Sequence, residues 1–253
     1  SGNDIDYDAV YATVAGGNNN NIGTNADYSA IGGGYGNDIG DNAQYAIVAG
    51  GRDNDIATNA SYSVIGGGYI NDIANDAQYA TVSGGYNNNI GTNADNSTIC
   101  GGSANIIGSN ATYAFAAGRR AKANHQGAFV WGDSYSSGDV ASTNDDSVTF
   151  RCEGGVRFLN DLDTLSASWA PGASSWTIAS DRALKEKITP VDAKDVLEKI
   201  TALPIYDWNY TGYPQRHIGP MAQDFHAAFP LNPNDKAIDS GDLQGVALAA
   251  IQG

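Results

Sequence analysis

A seventeen-residue step runs through the first half of the chain and restricts what it can fold into more than any other feature. Tyr11, Tyr28, Tyr45, Tyr62, Tyr79 and Tyr113 fall on multiples of it, with Asn96 in the one gap. The columns Ile22, Ile39, Ile56, Ile73, Ile90, Ile107 and Asn20, Asn37, Asn54, Asn71, Asn88, Asn105 keep the same step. The glycines Gly16, Gly33, Gly50, Gly67, Gly84, Gly101 and Gly118 do so too, and the shared motif is Y-[AS]-x-[IV]-x-G-G-x-x-N-x-I-x-x-[ND]-A-x. A unit this short cannot hold a helix pair, which takes over about 30 residues, but it fits one coil of a β-solenoid. In Tyr45-Ala46-Ile47-Val48-Ala49-Gly50, the small Ala46, the branched Val48 and Gly50 share one face at a period of two, which predicts the narrow core of the coil. Gly-Gly permits the positive φ of a tight corner, and the asparagine column predicts an amide ladder. About seven coils at roughly 4.8 Å each predict a rod of roughly 34 Å. A core of Ala, Ser, Gly and one Ile or Val per strand buries little apolar area in a single chain. The row of tyrosines is therefore expected to meet another chain, and oligomerisation follows.

The repeat contains no His, Glu or Lys, so a general acid or a nucleophile has almost nothing to be built from. Asp38, Asp55 and Asp72 stack on the same step and could hold Ca²⁺, but the glycine-aspartate nonapeptide of calcium β-rolls is absent and a solvated acidic edge is expected. A threonine array for ice binding is not present either, because the column Thr13, Ala30, Ile47, Val64, Thr81, Thr98, Phe115 is mixed. The whole chain carries 28 acidic against 13 basic residues and a formal charge of −15, which argues against DNA, RNA and anionic membrane as partners. No apolar run approaches the roughly 20 residues of a membrane span, and no membrane insertion is expected. No signal peptide precedes Ser1, and the missing initiator Met points to an excised fragment. Cys100 and Cys152 lie in unlike contexts and are expected as packed free thiols, with no metal and no cofactor.

Residues 7–124, short repeats rich in Asn, Ala, Gly and Ile, resemble the head of trimeric autotransporter adhesins, which are left-handed β-rolls. The resemblance implies a homotrimeric, adhesin-like head or shaft over residues 1–124. Its exposed tyrosines and asparagines would be offered to a cell-surface receptor or glycan. A β connector is expected over residues 125–179. There Val148, Phe150 and Cys152 alternate, Gly154-Gly155 turns, and Val156 and Phe158 alternate back, which predicts a hairpin. The stretch F-V-W-x-D-S, followed by V-x-F-R-x-x-G-G-V-R-F, looks like segments that precede self-processing chaperone domains in phage fibres and bacterial surface proteins.

From Ser180 the composition turns ordinary and predicts a small α+β domain. A helix is expected from Asp192 to Leu203, with Val196, Leu197, Ile200 and Leu203 on one face and Pro204 ending it. Tyr206, Trp208 and Tyr210 alternate as a strand that "TGYP" turns back toward His217-Ile218. Met221 to Phe229 predicts a second helix, and a third begins near Ser240 or Asp242 and runs to the chain end. The ordered stretches "SDRALKEKI", "VLEKITALPIYDWNY", "HIGPMAQDF" and "GDLQGVALAAIQ" resemble the C-terminal intramolecular chaperone domain of endosialidases, phage tail spikes and fibres. Members often continue into a longer final helix than the one ending at Gly253.

The resemblance implies that residues 180–253 trimerise, guide assembly of the β-structure in front of them, and release themselves by a cut before the serine of S-D-x-x-L-K. That places the cut between Ala179 and Ser180, with Lys185 as partner base; His217 could assist or orient, the stronger alternative being a partly buried, hydrogen-bonded histidine, and Gln223, within the family motif, could support the pair or serve packing and polar satisfaction instead. A serine hydroxyl needs a neighbour to take its proton, and a lysine does so only when neutral. Lys185 must therefore be desolvated or crowded by positive charge, and Arg182 and Lys187 are candidates for the second effect. The bland alternative has Ser180 as the N-cap of a helical turn and Lys185 as a solvated cation. The whole reads as an extracellular, cell-surface or virion tail-fibre protein whose only enzymology is one self-cleavage per chain. The rival is an uncleaved fibre in which residues 180–253 are a permanent trimerisation foot.

Overall fold

The computed structural model describes residues 2–135, 138–159 and 165–253; residue 1 and residues 136–137 and 160–164 of the connector lie outside the described residues. The chain divides into two compact units, Ser1–Ala179 and Ser180–Gly253.

The first unit is a β-solenoid. Among the described residues, two parallel sheets of nine strands each run through it, giving nine coils where the repeat predicts seven. Strands are two residues long over most of the height, and each pairs with its equivalent one coil on, as in Ile47↔Val64 and Asp55↔Asp72. Within a coil the pleat sends Val48 and Ile56 into the core and Ile47 and Asp55 outward. The buried interior is a row of Ile and Val flanked by Ala, with Ala43, Ala46, Ala60, Ala77 and Ala80 completely enclosed. The last coils close although the step changes, since Phe115 pairs with Phe129 and Phe129 with Val148. Coil length varies at the corners as long as Ala116, Val130, Ala121 and Ala123 still fall inward.

One consequence overturns the connector hairpin. Val148–Arg151 does not pair back onto Val156–Leu159; it is the last parallel rung of the second sheet, laid on Phe129–Gly132. Val156–Leu159 instead opens a separate antiparallel sheet with Leu165–Trp169 and Thr177–Ile178.

The asparagine column is buried and forms the ladder that the sequence predicts. Asn54 Nδ2 donates to Asn37 Oδ1 at 3.0 Å, to Gly50 O at 3.1 Å and to Gly68 O at 3.1 Å. Its own Oδ1 accepts from the backbone N–H and the side-chain amide of Asn71, both at 3.1 Å. A polar group sealed in the core is thereby satisfied on every side, the condition for its burial to be tolerated. The glycine before it is fixed by the same packing: Gly51 has φ 94°, and a Cβ there would sit 2.3 Å from Gly68 O.

The tyrosine column has a backbone that its side chains do not favour. Tyr11, Tyr28, Tyr45, Tyr62, Tyr79 and Tyr113 all have φ between 57° and 61°, as has Asn96 in the gap. A left-handed non-glycine residue costs about 1 kcal/mol, and ring stacking of about 0.5–1.5 kcal/mol per pair offsets it. The rings of Tyr11, Tyr28, Tyr45, Tyr62 and Tyr79 stack in one pile with centroids 4.9–5.0 Å apart. Tyr113 stands outside the pile because Asn96 interrupts it.

The second unit is small. Helices α1 (Ala193–Ala202), α2 (Ala222–Ala228) and α3 (Ser240–Gln252) enclose Val196, Leu203, Phe225, Phe229 and Val246. Asp192 caps α1 by accepting from Lys194 N and Asp195 N. A two-stranded hairpin, Tyr206–Trp208 with His217–Gly219, completes it. The expected apolar face of α1 is buried at Val196, Leu203 and in part Ile200, but Leu197 remains exposed.

Candidate functional site

Ser180 and Lys185 meet across one short turn. Asp181, not Ser180, is the N-cap, its side chain accepting from Ala183 N at 2.9 Å, and Arg182–Leu184 forms a single 3₁₀ turn. Lys185 then leaves in an extended conformation, φ −119° and ψ 142°. In a continuing α-helix, residues five apart lie about 140° round the axis from one another. Here the turn stops after three residues, and Lys185 Nζ donates to Ser180 Oγ at 2.6 Å. The division between the two units falls at Ala179/Ser180.

The surroundings of the pair are open. Ser180, Arg182, Lys185 and Lys187 are exposed, and Lys187 pairs with Glu186 at 3.5 Å. Within this unit the desolvation that a basic lysine needs is not supplied. His217 is elsewhere, stacked on Trp208 with centroids 4.7 Å apart and edge-on to Tyr210 at 5.7 Å. Gln223, on α2, is exposed and helps line an open hollow of about 650 Å³ with Trp208, Tyr210, Met221 and Lys236. Among the described residues, neither His217 nor Gln223 hydrogen-bonds to Ser180 or Lys185.

In the first unit, Asp38, Asp55 and Asp72 stand in register on the outer side of the first sheet. Asn21 donates to Asp38 and Asn89 to Asp72, so amides close both ends of the row. Asp55, in the middle, has Oδ1 buried without a partner. Burial, and then the charges of Asp38 and Asp72, push its carboxyl up to about 7. Burial also raises Asp72, against the opposing bond from Asn89. The row is thus more enclosed than the solvated edge the sequence suggests, and among the described residues no group of His, Cys, Asp and Glu could hold a metal ion.

The sequence reading missed a second polar row, Ser29, Ser63 and Ser97, buried on alternate coils. Ser63 Oγ donates to Ala77 O at 2.9 Å and accepts from Ala80 N at 3.0 Å. Its signal is the alternation of Ser and Ala at twice the repeat, Ser29, Ala46, Ser63, Ala80, Ser97, Ala114.

Residues 180–232 match the family model of the chaperone of endosialidase. The match begins at Ser180, the first residue of the second unit, and spans the Ser180–Lys185 turn, α1, the hairpin and α2. It supports an intramolecular chaperone role for this unit in fibre or tail-spike assembly. No curated protein matches the chain. No helix among the described residues is long and apolar enough to cross a membrane.

Proposed function

We propose that the chain is part of a homotrimeric fibre or adhesin-like protein of a cell surface or virion tail. In this reading, residues 180–253 align three copies, let the solenoid form in register, and then cut themselves free between Ala179 and Ser180. The observation that carries the cleavage is the contact of Lys185 Nζ with Ser180 Oγ at the first residue of the chaperone match. Alignment has a physical purpose here. Coils with the same side chains pair equally well one step out of register, and tying three chains together lowers the entropic cost of choosing the right pairing.

The chemistry balances within the chain. Neutral Lys185 takes the proton of Ser180 Oγ as that oxygen attacks the carbonyl carbon of Ala179. The C–N bond breaks, the Ser180 nitrogen receives the proton and becomes a free amine, and an ester joins Ala179 to Oγ. Water then hydrolyses the ester, leaving a carboxylate on Ala179 and restoring the hydroxyl of Ser180. Lys185 is solvated in the single chain, so copies packing around it would provide the desolvation it needs, and cleavage follows assembly. Contact with a receptor or glycan through exposed tyrosines and asparagines belongs to the same reading.

Intact mass, followed in time on freshly expressed wild type, Ser180→Ala and Lys185→Ala, tests the cleavage. Two fragments divided at Ala179/Ser180 in wild type alone are expected, appearing after the trimer does. One intact species in all three would make residues 180–253 a permanent foot.

A further inference from the structure

The two solenoid sheets turn different faces outward. On the first, the outward row is Asp4, Asn21, Asp38, Asp55, Asp72 and Asn89, polar and acidic through six coils. On the second, among the described residues, the outward positions of each strand carry no charge. One row there runs Thr13, Ala30, Ile47, Val64, Thr81, Thr98, Phe115, Phe129, Val148. Beside it stand Cys100, Trp131 and Phe150, with Arg119 and Asp133 lining a hollow next to Trp131 and Asp133 paired with Arg151, and the tyrosine pile runs alongside, two residues upstream in each coil.

The second face grows more apolar toward the last rungs. Ile47 and Trp131 are each 43% exposed, Phe150 58% and Val148 63%. The Phe115 and Phe129 rings stack at 4.5 Å, and Phe150 leans on Phe129. A parallel sheet normally has both faces covered, and here the inner face is covered by the solenoid core while the outer one is bare.

We infer that the outer face of the second sheet is the surface on which copies of this chain pack against one another. The inference rests on the homotrimeric reading above and assigns its surface within the solenoid. Charge selects the occupant. With a net charge of −15, two copies repel over most approaches, and this uncharged face is where they can meet without bringing carboxylates together. The size suits a joint contact of three. Nine rungs at about 4.8 Å extend over about 40 Å, and a strip about 13 Å wide gives about 500 Å² per copy, or about 1,500 Å² buried in all when three copies meet around a common axis.

Cys100, expected from the sequence as a packed thiol, is instead exposed on this face in the single chain and serves as a built-in reporter. The test uses the whole chain in two single-thiol forms. One is Cys152→Ser, which leaves Cys100. The other carries Cys100→Ser, Cys152→Ser and Ile106→Cys, which puts the thiol on the exposed outward row of the first sheet. Light scattering gives the oligomeric state, and N-ethylmaleimide labelling, followed by intact mass, gives the rate at each thiol. The expected result is an oligomer in which Cys100 reacts at least tenfold more slowly than the thiol introduced by Ile106→Cys. An oligomer in which both thiols react alike overturns the assignment of this face and leaves the homotrimeric reading standing. A monomer overturns both.

Discussion

Replacing Asp55 with Asn tests the account of the carboxylate row. In the folded chain Asp55 is pushed from 3.8 to about 7, by burial first and by Asp38 and Asp72 second. A carboxyl raised in the folded state holds its proton there after the unfolded chain has lost it. Its stabilising contribution is therefore complete below about pH 3.8 and is lost as pH rises through about 7. About three pKa units correspond to as much as about 4 kcal/mol across that window. Asp72 is shifted in the same direction and adds to the effect. Asp133 is shifted downward by bonds from Glu153 N–H and Arg151, so its contribution is lost only below the ordinary carboxylate range and does not offset this one. Asp55→Asn removes the ionisation and supplies a donor between two carboxylates, as Asn21 and Asn89 do at the ends of the row. Thermal unfolding followed by circular dichroism should show wild type losing stability between about pH 4 and pH 7, and the variant losing much less. At pH 8 the variant should melt about 5–10 °C higher. Equal pH slopes for the two proteins, or a variant less stable at pH 8, would refute the reasoning.

Asn54→Ala strands the donors and acceptors that Asn54 satisfies on both neighbouring coils, so denaturant unfolding should show a loss of about 2–4 kcal/mol. The exposed Asn75→Ala is the control, and equal small losses in both would show that the ladder contributes nothing. Gly51→Ala forces a Cβ to 2.3 Å from Gly68 O and should cost more than about 3 kcal/mol, while Gly154→Ala, with open space around it, should cost less than about 0.5 kcal/mol in the same assay. Asp181→Ala removes the cap that sets the Ser180–Lys185 turn and should slow self-cleavage measured by intact mass, whereas Lys194→Ala, exposed on α1, should leave its rate unchanged; equal rates for Asp181→Ala and wild type would show that the turn does not position the pair.

The regular part of the solenoid was legible because one side chain of each type recurs at one step, and a buried row of Ile, Asn or Gly leaves a periodic trace. The trace ends before the solenoid does. Corners after Ile106 change length, so the later rungs keep the inward pattern without keeping the step. Alternation at Val148, Phe150 and Cys152 identifies the two faces of a strand but not its partner, and for that reason a parallel rung was read as half of a hairpin. The left-handed tyrosines were not legible, since bulky residues disfavour that backbone and only the stacked neighbours make it tolerable. Burial of Asp55 was hidden for a similar reason: like charges in a row suggest solvent, and only the assembled coils show how much of it they exclude. In the second unit α1 followed from its apolar spacing and from the proline that ends it. The meeting of Ser180 and Lys185 depends on where one turn stops, which the motif suggested and local propensity did not.

The chaperone role is tested most directly by producing the solenoid with and without residues 180–253 and measuring oligomeric state and soluble yield by light scattering. The full chain should yield soluble trimers, and residues 1–179 alone should yield aggregated or misregistered material. Soluble, normal trimers from residues 1–179 expressed alone would contradict the account.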